Sequence, residues 1–385
     1  MPRFRMSILS LLFIPFLITG CWDLKDLQEI NYLTALGFDQ ENGEFVIYGQ
    51  LLDFAAVAKA ESGKSNSMPN WIGRGSGKTL VNAIDDLYRS SQLRIFYGHV
   101  NAIVIGDRLL KDKSMMDQVE QFVGRYYELR YTPWLFGTSD KLGKVLAATS
   151  IFDLSPAVSV LQQPLEVYKQ RSIVSPVSIR EFAVDTNEPC RTTLLPSIVV
   201  SDANWSKGSK RQGMLTISGA YAMTGDRLRG WFASEKLTGL AWVEPQSYRG
   251  PLVLYADKKL SAGLSLEQPK IKIHPRIRKD KAEYAIEIAL SGTLAMSLGQ
   301  MSEIELETQA ADKVREQIRE LYEEGLKQGV DVLNLETSLY RKKNREWKRL
   351  KQSGGLELTT ESLASIDVKV KIERTGNLKS QTRFQ

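Results

Sequence analysis

The sequence predicts a protein of mixed α/β or α+β class, built from mixed β-sheets packed by helices. The 385 residues are enough for two or three domains, each with its own hydrophobic core. Hydrophobic residues make up 43% and charged residues 25%, a globular balance that excludes collagen-like, coiled-coil and wholly disordered chains. Strand-like apolar runs alternate with helical periodicity in the first part of the chain, which favours mixed packing.

The first 20 residues read as an export signal. Two arginines precede the apolar run Ile8–Ile18, which is shorter than the roughly 20 residues of a membrane span but typical of a secretory signal. The following Ile18-Thr19-Gly20-Cys21 resembles the bacterial lipobox, in which the cysteine receives a diacylglyceryl group and becomes the N-terminus. We therefore predict a lipoprotein signal peptide over 1–20, lipidation of Cys21 and membrane attachment through acyl chains. An ordinary signal peptide with an incidental cysteine is the alternative.

The first half of the mature chain shows helix and strand signals in turn. Apolar runs on both sides of Asn42-Gly43 predict a hairpin, because both turn positions need a positive φ. Apolar residues at helical spacing begin at Leu80, with Thr79 as a candidate N-cap. The run from His99 to Asp107 is nearly all apolar, as in a strand buried on both faces. A helical stretch to about Tyr127 and a short strand over 133–137 follow.

The second half of the chain contains mostly strand signals and one long helix. The predicted strands lie at 194–200, 215–222, 229–233, 252–256 and 284–290, and a turn at Thr224-Gly225-Asp226 makes the second and third a hairpin. A helix is predicted from about Glu307 to Leu333. The tail from Ile366 to Ile372 alternates strictly between apolar and charged residues, which indicates a half-buried strand.

The residues predict no catalytic, cofactor or metal site. Neither His99 nor His274 stands in a metal-ligand spacing, and Cys190 is expected to be a buried, inert thiol. The segment Gly73–Thr79 is similar to a phosphate-binding loop, but Ile72 stands where that motif needs glycine. We expect a flexible turn there, leading into the helix at Leu80.

The charge of the chain argues against a nucleic-acid partner. The net charge of +6 is mildly basic and lacks the dense patch of a nucleic-acid binder. The sharpest basic run lies over Arg341–Arg349 and could contact anionic lipid headgroups. A solvated helix end, with Tyr340 and Trp347 packed inward, is the interpretation that the residues favour.

The first part of the mature chain contains Cys21-Trp-Asp, Gly37-Phe38-Asp39 and, before a helix, Gly77-Lys-Thr-Leu80. These motifs, in this order, resemble the Ger(x)C family of spore-germination lipoproteins, the C subunits of nutrient germinant receptors. Tyr97-Gly-His99 leads into Ile103-Val-Ile-Gly106, although Asp107 stands where the family usually has glutamate. The later segments that resemble the family are Ser218–Tyr221, Leu237–Leu240, Val330-Asp331 with Trp347, and the closing Val368–Gly376.

The resemblance implies a three-domain, non-enzymatic protein. It implies lipidation of Cys21, location on the outer face of the spore inner membrane, and assembly with integral-membrane A and B subunits. It carries no ligand-binding residues over, so contact with a small-molecule germinant stays open. Together with the sequence patterns, the resemblance predicts a signal peptide over 1–20, an N-terminal domain over 21–170, a small middle domain over 171–250 and a C-terminal domain over 251–385.

Two other functions remain open from the sequence alone. One is a solute-binding lipoprotein that captures a small-molecule nutrient, which ligand-dependent stabilisation would reveal. The other is a cell-wall hydrolase, which would need a paired acid and base in a cleft.

Overall fold

The computed structural model of the protein describes residues 30–52, 70–153, 155–256, 258–298 and 301–374. Sixteen strands and ten α-helices lie in these ranges. The strands form a ten-stranded sheet, a four-stranded sheet and a two-stranded hairpin. The predicted class is confirmed, because both large sheets mix parallel with antiparallel pairs and are packed by helices.

The elements alternate in the first half of the chain and become strand-rich in the second. The strands are β1 (Ile30–Glu41), β2 (Glu44–Leu52), β3 (Trp71–Gly77), β4 (Arg94–Phe96), β5 (Ala102–Gly106), β6 (Trp134–Thr138), β7 (Val177–Ser178), β8 (Thr192–Ser201), β9 (Ser206–Lys207), β10 (Lys210–Arg211), β11 (Met214–Thr224), β12 (Arg227–Ala233), β13 (Arg249–Ala256), β14 (Lys259–Arg278), β15 (Lys281–Ser297) and β16 (Leu363–Arg374). The helices are α1 (Leu80–Tyr88), α2 (Asp107–Leu110), α3 (Lys113–Arg125), α4 (Leu142–Ala147), α5 (Pro164–Gln170), α6 (Ile179–Asn187), α7 (Leu240–Val243), α8 (Glu303–Lys327), α9 (Leu335–Lys342) and α10 (Asn344–Ser353).

The ten-stranded sheet has a parallel centre and antiparallel edges. Its order is β12-β11-β8-β6-β5-β1-β2-β3, with β4 beside β1 and β7 beside β6. Strands β1, β5, β6 and β8 run parallel, and every residue of β5 is buried, as the apolar run predicted. The predicted hairpin at Asn42-Gly43 is confirmed, since both residues have a positive φ between β1 and β2.

The glycine-rich segment before α1 is an edge strand and not the flexible turn expected from the sequence. Residues 71–77 form β3, and α1 packs directly on it. A Cβ on Gly75 would overlap the carbonyl oxygen of Ala83, so the glycines permit close helix packing. The predicted N-cap is confirmed, because the Thr79 hydroxyl accepts a 3.2 Å hydrogen bond from the N–H of Asn82.

The four-stranded sheet is dominated by one long hairpin. Its order is β13-β14-β15-β16, and β16, the predicted tail strand, runs parallel to β15. Helix α8 covers one face with buried Val314, Ile318 and Leu321. The helix ends at Lys327, earlier than predicted, because Gly329 adopts a φ of 66° just beyond it.

The 20-residue strand β14 is an element that the sequence did not predict. Pro269 and Pro275 argue against a central strand, since proline cannot donate to a sheet ladder. Strand β13 pairs only with residues 259–267 of β14, so both prolines lie where β14 has a neighbour on one side alone. The structure thus places them at an edge.

The two large sheets share buried side chains. One cluster of core residues extends from Ala220 and Phe232, on the ten-stranded sheet, to Leu254 and Ile286 on the four-stranded sheet. Strands β8, β11 and β12 extend the first sheet, whereas residues 249–374 build the second. The boundaries at residues 170 and 250 stay a prediction.

Candidate functional site

The predicted lipidation site lies outside the described residues. Cys21 and the leader over 1–20 precede Ile30, where the described structure begins. The anchor therefore stays a prediction. Among the helices of the described residues, none is long and apolar enough to cross a bilayer.

The three residues considered for chemistry lie on separate elements of the fold. His99 is exposed and lies edge-on to Tyr32 at a ring distance of 5.1 Å, and His274 lies on β14, 3.4 Å from Glu287. Cys190 is half-buried, and burial raises the pKa of its thiol to about 12, which agrees with an inert role. Within the described ranges no three metal-ligating side chains converge.

A polar cavity of about 180 Å³ lies where separate parts of the chain meet. We call it the junction cavity. Its wall is formed by α6, the start of β8, the segment after α7, and Asn334 just before α9. Its charged side chains are Glu181, Asp185, Arg191 and Glu244.

Two of the three carboxylates in the junction cavity have protein partners. Glu181 accepts a 2.9 Å hydrogen bond from the N–H of Ser178, in the capping box of α6. Asp185 accepts a hydrogen bond from the Thr193 hydroxyl at 3.3 Å and lies 3.4 Å from Nε of Arg191. These contacts fix the positions of Glu181 and Asp185 in the wall of the cavity. Glu244 is the third carboxylate.

Glu244 and Arg191 each bring to the junction cavity a polar group that makes no hydrogen bond among the described residues. Within the described part of the chain, no donor lies in hydrogen-bond or ion-pair distance of the Glu244 carboxylate. Burial raises the pKa of Glu244, and the nearby charge of Arg191 opposes that rise. Nε of Arg191 is buried and makes no hydrogen bond to a described residue, although it lies 3.4 Å from the Asp185 carboxylate. The cavity therefore offers an acceptor on Glu244 and a donor on Arg191 to a small polar solute.

Helix α9 is joined to the ten-stranded sheet beside this cavity. The side chain of Asn334 accepts a 2.8 Å hydrogen bond from the N–H of Thr192 and donates a 3.0 Å bond to its carbonyl oxygen. Arg341, from the predicted basic run, forms a two-pronged ion pair with Glu188 at 2.6 and 2.5 Å. These contacts connect α9 to β8 and to the segment after α6.

An exposed apolar cluster lies at the other end of the four-stranded sheet; we call it the apolar end. Val253 and Met296 both lie opposite Gly263 in the sheet register, and Tyr255 lies opposite Leu260. The N–H of Leu298 donates a hydrogen bond to the carbonyl oxygen of Ser261, the residue after Leu260. The exposed members are Val253, Tyr255, Leu260, Met296 and Leu298, of which Tyr255 is 61% and Leu298 64% exposed. Such a contiguous patch is typical of a protein-contact surface.

Two of the resembling motifs meet at one end of the parallel strands. Asp39 is 3% exposed and accepts a 2.5 Å hydrogen bond from Arg108. A Cβ on Gly106 would overlap the Asp39 carboxylate, so glycine at that position makes room for the buried acid. The motifs Gly37-Phe38-Asp39 and Gly106-Asp107 thus meet in one structural contact, between Gly106 and the Asp39 carboxylate.

The resembling segment near the C-terminus also builds a structural contact. Asp331 accepts a 2.8 Å hydrogen bond from the N–H of Glu336 at the start of α9, and Trp347 donates a 2.9 Å bond to the Glu336 carboxylate. The second carboxylate oxygen of Asp331 is buried without a partner, and burial raises its pKa to about 6.

Sequence reasoning found the motif residues but neither the junction cavity nor the apolar end. The cavity residues Asp185, Arg191 and Glu244 come from segments without a common spacing, so no local pattern marks them. The apolar end joins residues of three strands, and two of its members lie on the unpredicted strand or just after β15.

Comparisons with known proteins agree on one family. A model for the spore germination protein N-terminal domain matches residues 23–200, and a model for the spore germination B3/GerAC-like C-terminal region matches residues 218–376. Spore germination protein KC of Bacillus subtilis (strain 168) is 19% identical over 393 residues, which covers 96% of this chain and 95% of the relative. Spore germination protein B3 of the same organism is 22% identical over 294 residues, covering 75% and 74%.

A solved structure shows the same fold. The crystal structure of the GerBC protein matches with a TM-score of 0.53 at 16% identity, and the match covers 88% of this chain and 96% of that chain.

Proposed function

Because the chain belongs to the Ger(x)C family of spore germination proteins, we propose that it is a lipid-anchored, non-catalytic C subunit of a nutrient germinant receptor. The observation that carries the proposal is the pair of family-model matches, which together span most of the mature chain. In this role Cys21 carries the acyl anchor on the outer face of the spore inner membrane, and integral-membrane A and B subunits are the partners.

Deletion of the gene tests the receptor role. Spores without this chain should lose the germination response to one class of nutrient, and the wild-type copy should restore it. Strains that also lack the related receptors remove redundancy between them. A normal response to every nutrient in such a strain would contradict the role.

Substitution of the lipidated residue tests the anchor. The Cys21→Ala variant should leave the membrane fraction of spores, because the diacylglyceryl group has no other predicted attachment point. Cys190→Ala is the matched control, since its half-buried thiol should not affect fractionation. A Cys21→Ala protein that stays fully in the membrane fraction would contradict an essential anchor.

The apolar end supports assembly with other subunits, because a solvent-exposed patch of this kind is typical of protein contacts. The Tyr255→Asp, Leu298→Asp double variant should lose co-purification with the A and B subunits from spore membranes. Val81→Asp, at an exposed valine on α1, provides the control. Equal recovery of the subunits with both proteins would argue against this surface.

A second function, capture of a small solute, is favoured by the junction cavity. The unpaired Glu244 carboxylate would bind an ammonium group and Arg191 an acceptor of the same solute. Glycine should raise the melting temperature of the wild-type protein, acetate and glucose should not, and Glu244→Gln should abolish the shift. Glu235→Gln, at an exposed glutamate, should keep it. No shift with glycine would argue against an ammonium-binding cavity.

A further inference from the structure

The net positive charge of this chain is concentrated in two segments that are distant in sequence. Residues 276–283, at the β14–β15 turn, and residues 341–351, over the end of α9 and most of α10, contain eleven cations and three acids. Their net charge of +8 exceeds the +6 of the entire chain. We call these two segments together the basic surface.

The fold brings the two segments together. Arg349 of α10 forms a 2.7 Å ion pair with Asp280 in the β14–β15 turn. The N–H of Ala282 donates to the carbonyl oxygen of Gly355, just after α10, and Lys342 donates to the carbonyl oxygen of Ile273 on β14. The sequence showed only the second segment, so the size of the basic surface is a property of the tertiary structure.

The cations of the basic surface face solvent and are mostly unpaired. Trp347 and Leu350 are buried on the inner side of α10, which directs its basic side chains outward. In the described ranges, no carboxylate lies within ion-pair distance of eight cations of the surface: Arg276, Arg278, Lys279, Lys281, Lys343, Arg345, Lys348 and Lys351. None of the large, exposed hydrophobic residues in those ranges lies in either segment. The basic surface is therefore suited to electrostatic contact without insertion.

We propose that the basic surface binds the anionic headgroups of the lipid bilayer. A broad, shallow array of unpaired cations complements a plane of negative charge, and each lysine or arginine near such a plane contributes roughly a fivefold increase in affinity. The proposal adds an orientation to the anchor of the proposed function. From Cys21 to Ile30 the chain can reach at most about 30 Å, so the anchor keeps the folded part close to the membrane.

Vesicle binding tests the proposal without the anchor or the receptor partners. The protein used is the mature chain, residues 21–385, with Cys21→Ser so that no acyl group is attached; it contains every described element. It should co-sediment with vesicles that contain phosphatidylglycerol and not with vesicles of phosphatidylcholine alone. Binding should weaken steeply with added salt, because exposed charges are screened within about 10 Å at moderate ionic strength. Equal binding to both vesicle types would overturn the proposal.

Charge reversal locates the binding surface. The Arg345→Glu, Lys348→Glu double variant should bind the anionic vesicles at least about 25-fold more weakly. The Lys210→Glu, Lys236→Glu variant makes the same change in net charge at exposed sites elsewhere and should bind like the wild type. Equal unfolding midpoints of the three proteins establish that the fold is intact. Equal losses in both variants would show that only net charge matters and would overturn the assignment.

The lipid proposal and the receptor role can be contradicted independently of each other. Normal germination after deletion of the gene would contradict the receptor role and leave vesicle binding unaffected. Absence of vesicle binding, with loss of the A and B subunits from the Arg345→Glu, Lys348→Glu protein, would place the basic surface against an acidic protein and overturn the lipid proposal.

Discussion

At the scale of single residues, Gly106 and Asp39 constrain each other. Gly106 has a φ of −63°, which any residue can adopt, so only the space beside the Asp39 carboxylate requires glycine. Gly106→Ala should lower the free energy of unfolding by about 1–3 kcal/mol, because the added methyl group must displace the buried Asp39 carboxylate. Urea titration measures the change.

A second glycine offers a control for this substitution. A Cβ on Gly124, in helix α3, would have no neighbour within 4 Å. Gly124→Ala should leave the free energy of unfolding unchanged or raise it by about 0.5–1 kcal/mol, since alanine favours helices. Similar losses for both variants would contradict the steric account of Gly106.

The raised pKa of Asp331 predicts that its contribution to stability depends on pH in the sense opposite to that of most carboxylates. Its folded-state pKa of about 6 lies above the usual 3.8, so the folded protein holds the proton more tightly. The contribution of Asp331 to the free energy of unfolding should therefore fall as the pH rises from about 4 to about 6, by at most about 3 kcal/mol.

The Asp331→Asn variant isolates this titration from that of other groups. Asparagine keeps an oxygen for the N–H of Glu336 but does not ionise. Relative to the wild type, the variant should become more stable as the pH rises through this range, as measured by urea titration at each pH. A constant difference between the two proteins would exclude a raised pKa at Asp331.

At the scale of elements, the ion pair between Arg341 and Glu188 connects α9 to the segment after α6. Its two contacts and the 15% exposure of the Glu188 side chain favour real coupling, although Arg341 itself is 60% exposed. A double-mutant cycle with Arg341→Met and Glu188→Gln should give a coupling of about 0.5–1 kcal/mol.

The coupling between Arg341 and Glu188 should weaken at low pH, as is usual for a carboxylate with a lowered pKa. Arg341 holds the pKa of Glu188 below its usual value, so the coupling should be lost as the pH falls through that lowered pKa. The pair Arg89–Asp86, with one contact and more exposure, serves as the reference and should couple more weakly. A larger coupling for the reference pair would contradict the argument.

At the scale of the whole molecule, the shared core predicts that the two large sheets unfold together. In a variant that keeps only Trp242 and Trp347 of the seven tryptophans, fluorescence reports on the core around the four-stranded sheet, whereas far-ultraviolet circular dichroism reports on both sheets. Transitions followed in urea by fluorescence and by circular dichroism should coincide, because Ala220 and Phe232 join both sheets in one cluster. Two separated transitions would show that the sheets are independent units.

Local patterns determined much of the fold. The Asn42-Gly43 turn, the cap at Thr79, the buried strand β5 and the alternating tail β16 all follow from interactions between residues close in sequence. Strand β14 could not be predicted in this way, because its prolines are tolerated only where one neighbouring strand is absent. The same holds for β3, whose glycines depend on the approach of α1.

The sequence by itself determined the family and predicts the leader and the anchor at Cys21, because these depend on short motifs and their order. Only the tertiary structure decided where Asp185, Arg191 and Glu244 form a cavity and where the β14–β15 turn joins α10 in one basic surface. The physical reason is that charge and burial act through space. Side chains from segments tens of residues apart share an environment that no spacing along the chain encodes.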